Sequence, residues 1–166
     1  RAIMGKEQPV IIEVAINGET FKDRNPHSPR EPHEIAAVSI ECIEAGATVI
    51  HNHIDKITIA GKDAADRYKA GWADIRRRFP QAVIYPTSVF HPDLMTRLEH
   101  IEHVAGVADM AALDPGTTSF AFALDANGLP TGGYDYVNSY HDIRVAFDQL
   151  NRLGLAASMA LYDASY

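Results

Sequence analysis

Two histidines separated by a single residue, His51 and His53, have the spacing in this sequence that most suggests chemistry. They follow the largely apolar run 47–50, Ala-Thr-Val-Ile. In an extended segment, side chains two positions apart point to the same side, so both imidazoles can face one point where a strand ends. This arrangement predicts two ligands for one metal ion. The alternative is a pair of histidines that only form hydrogen bonds on that face, as many histidines do.

Apolar spacing predicts alternating strands and helices around these histidines. Five strands are predicted, the first of them buried, at 9–16, 48–51, 82–85, 109–113 and 155–162. Four helices are predicted at 32–45, 63–79, 91–104 and 139–153. The second helix carries a stripe that is expected to face the core: Tyr68, Trp72, Ile75 and Phe79. A strand or extended arm at 119–124 is followed by predicted turns over 125–133.

This alternation over short loops predicts right-handed crossovers and a parallel sheet. Five strands fit either an open doubly wound sheet or most of the first half of a barrel of eight βα units. In both folds, functional groups gather at the carboxyl ends of the strands. Polar residues lie after the first four predicted strands: Asn17 and Glu19, His51 and His53, Thr87 and Ser88, and 114–118. These positions predict a site, although Asn-Gly and Asp-Pro-Gly also serve simply as turns.

Composition places the chain among globular proteins with one core. Its 166 residues, 46% hydrophobic and 22% charged, predict a single α/β domain over 1–166. A formal charge of −7 disfavours nucleic acid as a partner, and the basic run 76–78 is expected to be a solvated helix end. No apolar stretch or signal peptide indicates a membrane partner, so a cytoplasmic location is expected. Cys42 is the only cysteine, which excludes an internal disulfide.

Several segments of the sequence resemble the β-keto acid cleavage enzymes. They are 16–19, 25–36, 44–53, the pair Thr87-Ser88, and 109–117. The most specific part is the Asn-Pro-x-x-Pro loop at 25–29, whose following helix leads into Glu-Ala-Gly-Ala and the two histidines. The resemblance extends over nearly the whole chain and implies a TIM-type (β/α) barrel, of which this chain supplies roughly the N-terminal half.

The resemblance also implies an activity and a set of site residues. It implies zinc-dependent cleavage of a β-keto acid with acetyl-CoA as co-substrate, giving acetoacetate and a new acyl-CoA. His51 and His53 match the family's zinc-binding histidines, Glu19 matches a catalytic glutamate, and Thr87 matches a small hydroxyl residue that holds substrate. Three further residues are expected to bind substrate: Ser88, Asp114 and Gly116.

Departures from the family pattern concern the substrate pocket. Val89 and Phe90 replace a Gly-Gly pair, so Phe90 is expected to reshape or block the pocket. Near the end of the chain, Ser158 and Ala160 replace two glutamates that could hold a substrate amine. The sequence therefore predicts a different keto acid, one without an ammonium group. Ala112 stands where the family has a threonine.

The length of the chain leaves part of the family's site unaccounted for. The family's carboxylate zinc ligand, base and arginine come from later strands, so they are expected beyond Tyr166. Five parallel strands would leave sheet edges with unpaired backbone groups, which predicts a homo-oligomer or pairing with an absent C-terminal half. Two other classes stay open: a metal-dependent barrel hydrolase, since His-x-His also follows strands there, and a non-catalytic remnant that acts as an assembly partner.

Other polar and aromatic residues receive weaker expectations. His100 and His103 lie three positions apart in a helix and are expected to be a surface pair. Glu13 is expected either to point towards the metal or to be a paired core carboxylate. Tyr134 and Tyr136 suit an arm that packs on a partner, and Asp163 is a weak site candidate.

Overall fold

The computed structural model describes residues 9–162, apart from the side chain at position 122. Its seven strands are β1 (Glu13–Ala15), β2 (Val49–Asn52), β3 (Val83–Pro86), β4 (Met110–Leu113), β5 (Thr118–Leu124), β6 (Pro130–Tyr136) and β7 (Ala156–Met159). Its four helices are α1 (Pro32–Glu44), α2 (Gly61–Arg78), α3 (Leu94–Val104) and α4 (Tyr140–Leu153). Within 9–162, no helix is both long and apolar enough to cross a membrane.

Local signals at the helix ends explain where the helices begin and stop. The side chains of Glu31 and Glu34 form a capping box at the start of α1, where Pro32 occupies the first turn. Ser139 and Asp142 form the same box at the start of α4. Gly154 ends α4 in a left-handed conformation, with φ +70°, which glycine adopts without steric cost.

The strands that alternate with the helices, β1 to β4 and β7, follow one another in sequence order, and their pairs are parallel. β1, β2 and β3 form one sheet, and β4 pairs with β7. The backbone N–H of Asp109 donates to the Ile84 carbonyl at 3.0 Å, which brings β4 beside β3. Each helix packs on the next one along the chain, so the helices form one layer on one side of the strands. The prediction of alternating elements and parallel pairing is confirmed.

The two faces of the strands have different surroundings. One face carries Ile50 and Ile84, which are paired across β2 and β3 and fully buried. Ile84 packs with Trp72 of α2 and Ile101 of α3 in a continuous apolar core. Because side chains alternate along a strand, residues next to these positions point to the opposite face. We call this second side the open face; it includes Glu13, His51, Tyr85 and Ser158. The Tyr85 hydroxyl donates a hydrogen bond to Glu13 and accepts one from Ser158, and the His51 ring packs on the Tyr85 ring.

The first predicted strand is shorter and more exposed than the sequence suggested. Only Glu13–Ala15 is extended and paired, and Val10 and Ile11 are 80% and 78% exposed. β1 is the edge of its sheet and has β2 on one side only, so these apolar residues lack a covering layer within the described chain. The expectation of a buried strand over 9–16 was wrong. The last strand likewise ends at Met159.

The segment after β4 forms an antiparallel hairpin that the sequence did not fully predict. β5 pairs with β6, and the turn between them covers 125–129, so 130–133 is strand rather than turn. Gly132 and Gly133 suggested a turn, yet Gly133 lies opposite Ala121 within the ladder. A Cβ atom at Gly133 would lie 2.5 Å from the Phe120 carbonyl oxygen. Glycine is needed there for close backbone approach.

Candidate functional site

His51 and His53 lie side by side at the end of β2. Their ring centroids are 5.3 Å apart, and the His51 ring packs on Tyr85 at 4.5 Å. Asn52, between them, points to the helix side, where its Oδ1 accepts a hydrogen bond from Trp72 Nε1 at 2.7 Å. The structure therefore brings the two imidazoles together, while the intervening residue anchors the strand end to the core.

Glu19 orients one of the two histidines. Its Oε1 lies 2.7 Å from His53 Nδ1, and Asn17 Oδ1 accepts from the His53 backbone N–H at 2.8 Å. A carboxylate can only accept, so Nδ1 carries the proton and the lone pair of Nε2 is left for another partner. A carboxylate behind a histidine in this way is the usual arrangement behind a metal-bound imidazole.

A buried arginine, Arg30, fixes the loops that carry Glu19 and His53. Its guanidinium donates to the carbonyl oxygens of Gly18 at 2.7 Å, Ile54 at 2.9 Å and Asp55 at 2.8 Å. These loops follow β1 and β2, so Arg30 sets their spacing. Sequence reasoning missed this residue, because its partners are backbone groups 12 to 25 positions away and leave no pattern of residue types.

The electrostatics of His51 suit a neutral ligand. Burial, and then the proximity of His53, lower the pKa of His51 to about 4. Its Nδ1 is buried and has no hydrogen-bond partner among the described residues. Neutral imidazole nitrogens are the form that binds metals. The two histidines therefore fit two positions around a zinc ion, whereas no cluster of three His, Cys, Asp or Glu within 9–162 would hold a metal alone.

A cavity of about 460 Å³ opens beside His53, while His51 is not among its lining residues. Five of the residues predicted from sequence line it: Glu19, His53, Thr87, Ser88 and Asp114. Gly116 is not among the lining residues; its carbonyl accepts from the Asn138 side-chain amide at 3.1 Å. Asp163 lies outside the described residues. The carboxyl ends of β1 to β4 thus meet at one cavity, as parallel strands require.

The loop after β3 is held from both sides. His100 Nε2 donates to the Thr87 carbonyl at 2.8 Å, and Ser88 Oγ lies 3.3 Å from the Tyr136 hydroxyl. That hydroxyl donates to Asp114 at 3.0 Å, and burial raises the pKa of Asp114. The expectation that His100 lies on the surface was wrong. It is fully buried, because the α3 face that carries it packs against α2, where Tyr68 stacks on its ring.

Phe90 forms one wall of the cavity and does not fill it. Its ring packs on Tyr134 with centroids 4.2 Å apart. Tyr134 and Tyr136, expected on a partner-binding arm, lie on β6 and face the same cavity. Glu13, on the open face, accepts from the Tyr85 hydroxyl and joins no metal cluster within the described chain.

Comparison with known proteins identifies the class. The family model described as beta-keto acid cleavage enzyme matches residues 9–166, so the chain belongs to this family. Two relatives called 3-keto-5-aminohexanoate cleavage enzyme, from Acetoanaerobium sticklandii and Fusobacterium nucleatum, are each 32% identical over 68% of this chain. A 3-dehydrocarnitine:acetyl-CoA trimethylamine transferase from Rhizobium meliloti is 25% identical over 98% of it. The resemblance found in the sequence is confirmed.

The chain spans only part of these relatives. It covers 41% and 42% of the length of the two cleavage enzymes and 58% of the transferase. The matched part contains the loops after β1 to β4 and the histidine pair.

Proposed function

We propose that this chain supplies part of a zinc-dependent enzyme that cleaves a β-keto acid with acetyl-CoA and gives acetoacetate and a new acyl-CoA. The observation that carries the proposal is the histidine pair. His51 and His53 are adjacent, His51 is neutral, and Glu19 orients His53 beside a cavity. Family membership supports the class of reaction.

We propose that the strands belong to the first half of a TIM-type barrel. The strands β1 to β4 and β7 follow one another in sequence order with parallel pairing within their sheets, and their helices form one layer, as a barrel requires. The antiparallel β5–β6 hairpin is inserted after β4. An open doubly wound sheet instead reverses its strand order and covers both faces with helices. The open face would then line the barrel interior, which explains why polar side chains such as Glu13 and Ser158 lie there.

His51 and His53 would hold the zinc ion through their ring nitrogens. When bound, zinc polarises the keto oxygen of the substrate and so eases the chemistry at the neighbouring carbon. Glu19 keeps the proton on His53 Nδ1, and burial keeps His51 unprotonated at neutral pH. A third ligand would come from outside residues 9–162, from later chain or from another subunit of a homo-oligomer.

Thr87, Ser88 and Asp114 would position the substrate. All three line the cavity and belong to loops held by His100 and Tyr136. Hydroxyl groups can donate to a carboxylate or a keto oxygen, which suits the acid end of a β-keto acid. Ser158 and Ala160 provide no carboxylate for a primary amine, so the proposed substrate lacks the amino group of the family's typifying substrate.

Metal content and turnover together test this proposal. The purified protein is expected to hold about one zinc per chain by elemental analysis, as a catalytic zinc enzyme does. A His51→Ala/His53→Ala variant should lose it, while the matched exposed-histidine variant His103→Ala should retain it. Incubation with a panel of β-keto acids and acetyl-CoA should release acetoacetate.

Three results would count against the proposal. Zinc that survives in the double variant would remove the histidine pair as its site. Product release that does not need acetyl-CoA would instead indicate a hydrolase. Metal-loaded protein that turns over no keto acid in either assay would favour a non-catalytic role.

A further inference from the structure

Arg97 of α3 is a buried cation that reaches the base of the β5–β6 hairpin. It is 3% exposed, and its guanidinium donates to Asn138 Oδ1 at 3.0 Å and to the Val137 carbonyl at 3.1 Å. None of the salt bridges among the described residues includes Arg97, and its buried Nε has no hydrogen-bond partner there. A buried charge without a carboxylate partner is costly. The position of Arg97 therefore calls for a reason beyond packing.

The guanidinium of Arg97 also lies against the ring of Tyr136. Its central carbon is 5.1 Å from the ring centroid, within the range of a cation–π interaction. The hydroxyl of the same tyrosine reaches two loops that line the cavity. It donates to Asp114 Oδ2, after β4, at 3.0 Å and lies 3.3 Å from Ser88 Oγ, after β3. Tyr136 therefore joins the two loops while its ring rests on Arg97.

Asn138 extends the contacts of Arg97 to the loop after β4. Its side-chain amide donates to the Gly116 carbonyl at 3.1 Å, and its backbone N–H donates to the Thr117 hydroxyl at 3.2 Å. Gly116 and Thr117 directly precede β5, and Asn138 follows β6. Arg97 and Asn138 therefore hold the two ends of the hairpin together.

A second buried polar residue of α3 holds the loop after β3. His100 lies three positions after Arg97, on the same side of the helix, and its Nε2 donates to the Thr87 carbonyl at 2.8 Å. The backbone carbonyl of Arg97 itself accepts from the Val89 N–H at 3.2 Å. One face of α3 thus supports the loop after β3 and, through the Arg97 side chain, the hairpin.

We propose that Arg97 is a positioning residue that keeps the Tyr136 hydroxyl between the two cavity loops. Ser88 and Asp114 then stay at one fixed separation, as a substrate held by both requires. This inference rests on the function proposed above, in which these two residues bind the keto acid. Arginine suits the task because its planar fork donates in two directions and also stacks on an aromatic ring, whereas the ammonium group of lysine has no such plane.

The pKa of Asp114 reports on this contact without any substrate. Burial raises that pKa, while the hydrogen bond from Tyr136 and the charge of Arg97 lower it. NMR titration of the Asp114 carboxyl carbon in the whole chain measures it. Tyr136→Phe removes the hydroxyl, so the pKa should rise. Arg97→Lys keeps a positive charge but loses the fork, so the hydroxyl should move away and the pKa should rise in this variant too.

A double variant separates positioning from a direct effect of charge. If Arg97 acts through Tyr136, Arg97→Lys should raise the pKa of Asp114 less in the Tyr136→Phe background than in the wild type. Equal rises in the two backgrounds would mean that Arg97 acts on Asp114 by its charge alone. An unchanged pKa in Arg97→Lys would mean that it does not act on Asp114. Either result overturns the inference.

The comparison has a control and a substitute variant. Arg152→Lys changes an arginine of α4 that is exposed and paired with Glu102, so it should leave the pKa of Asp114 unchanged. Tyr85 and Tyr162 lie close enough to Asp114 to interact with its charge, and both are kept in every variant. Should Arg97→Lys fail to fold, Arg97→Gln takes its place in the same two backgrounds, where a smaller rise in Tyr136→Phe again supports positioning and equal rises refute it.

Kinetics with a keto acid from the panel give a second test. Arg97→Lys should raise KM at least about threefold and change kcat little, because Ser88 and Asp114 would contact the substrate in the ground state and the transition state alike. The zinc content should stay as in the wild type. A fall in kcat at unchanged KM would contradict a positioning role, and so would a joint loss of zinc and activity.

The two proposals can fail separately. The Asp114 titration needs neither zinc nor keto acid, so its result should be the same in the His51→Ala/His53→Ala variant. A smaller rise in the Tyr136→Phe background, in a protein that turns over no keto acid, would remove the proposed function and keep the coupling of Arg97 to Asp114. Equal rises in an active zinc enzyme would do the reverse.

Discussion

The helix-covered parallel strands, whose following loops line the cavity, and the β5–β6 hairpin that also lines it are built differently. On the helix side, Trp72 is 1% exposed and packs with Ile84 and the side chains of three helices. On the hairpin, Phe120 is 44% exposed and Leu124 66%, and β5 and β6 form a two-stranded sheet of their own. The first region derives its stability from buried apolar surface, and the second from local pairing.

This difference divides the functional groups in a useful way. The two histidines lie at the end of a strand anchored to the core by the Asn52–Trp72 hydrogen bond. Tyr134 and Tyr136 lie on the hairpin, where the other residues of β6 are exposed. Rigid elements suit metal ligands, whose positions must be accurate, and a separate appendage suits substrate recognition. A change of substrate can then leave the two proposed metal ligands untouched.

The largest effect is expected on the helix-covered side. Trp72→Ala removes a fully buried indole from the core and leaves Asn52 Oδ1 without its donor. The free energy of unfolding should fall by about 3–5 kcal/mol, as for other buried tryptophan truncations. Chemical denaturation followed by circular dichroism measures it, with the milder Trp72→Phe as a folded comparison. A loss below about 1 kcal/mol would mean that this side is not the stabilising one.

The sequence could predict features of the helix-covered strands that depend on neighbouring residues. The stripe of Tyr68, Trp72 and Ile75 was assigned to the core correctly, because helical periodicity directly reflects which side of a helix is covered. The histidine pair was placed at a strand end for a similarly local reason, the alternation of side chains. Both features are encoded within a few neighbouring residues.

Features that depend on distant partners were not predictable in this way. The run 76–78 was expected to be solvated, yet Arg76 donates to the carbonyl oxygens of Val107 and Ala82 at 2.9 Å and 2.6 Å. β6 was missed because its glycines indicate a turn unless the opposite strand is known. The aromatic rings that line the cavity come from four segments between Phe90 and Tyr162, so no short window of sequence contains them.

A smaller effect is expected where the core supports the rim of the cavity. Burial lowers the pKa of His100 to about 4, below its unfolded value near 6.5. The His100 side chain thus binds a proton more readily in the unfolded chain than in the folded one. The free energy of unfolding is therefore at its full value above about pH 6.5 and falls as the pH is lowered towards 4. Between pH 7 and pH 5 this loss amounts to about 2 kcal/mol.

His100→Gln isolates that contribution. Glutamine can still donate to the Thr87 carbonyl but does not titrate. The free energy of unfolding is measured at pH 7 and at pH 5 for both proteins. The decrease between the two pH values should be about 2 kcal/mol smaller in the variant than in the wild type. The lowered pKa of His51 is common to both proteins and cancels. An equal acid sensitivity would show that His100 is not buried in its neutral form.

The smallest effect is expected on the hairpin, where a matched pair of leucines makes the comparison direct. Leu98 of α3 is 6% exposed and Leu124 of β5 is 66% exposed. Leu98→Ala should cost about 2–5 kcal/mol through lost burial and the cavity it leaves. Leu124→Ala should change the free energy of unfolding by no more than about 0.5 kcal/mol, as exposed substitutions do. Chemical denaturation curves of the two variants and the wild type measure both changes in the free energy of unfolding. Comparable losses at the two positions would mean that Leu124 is covered in solution, by another copy or by further chain, and the hairpin would then belong to an interface.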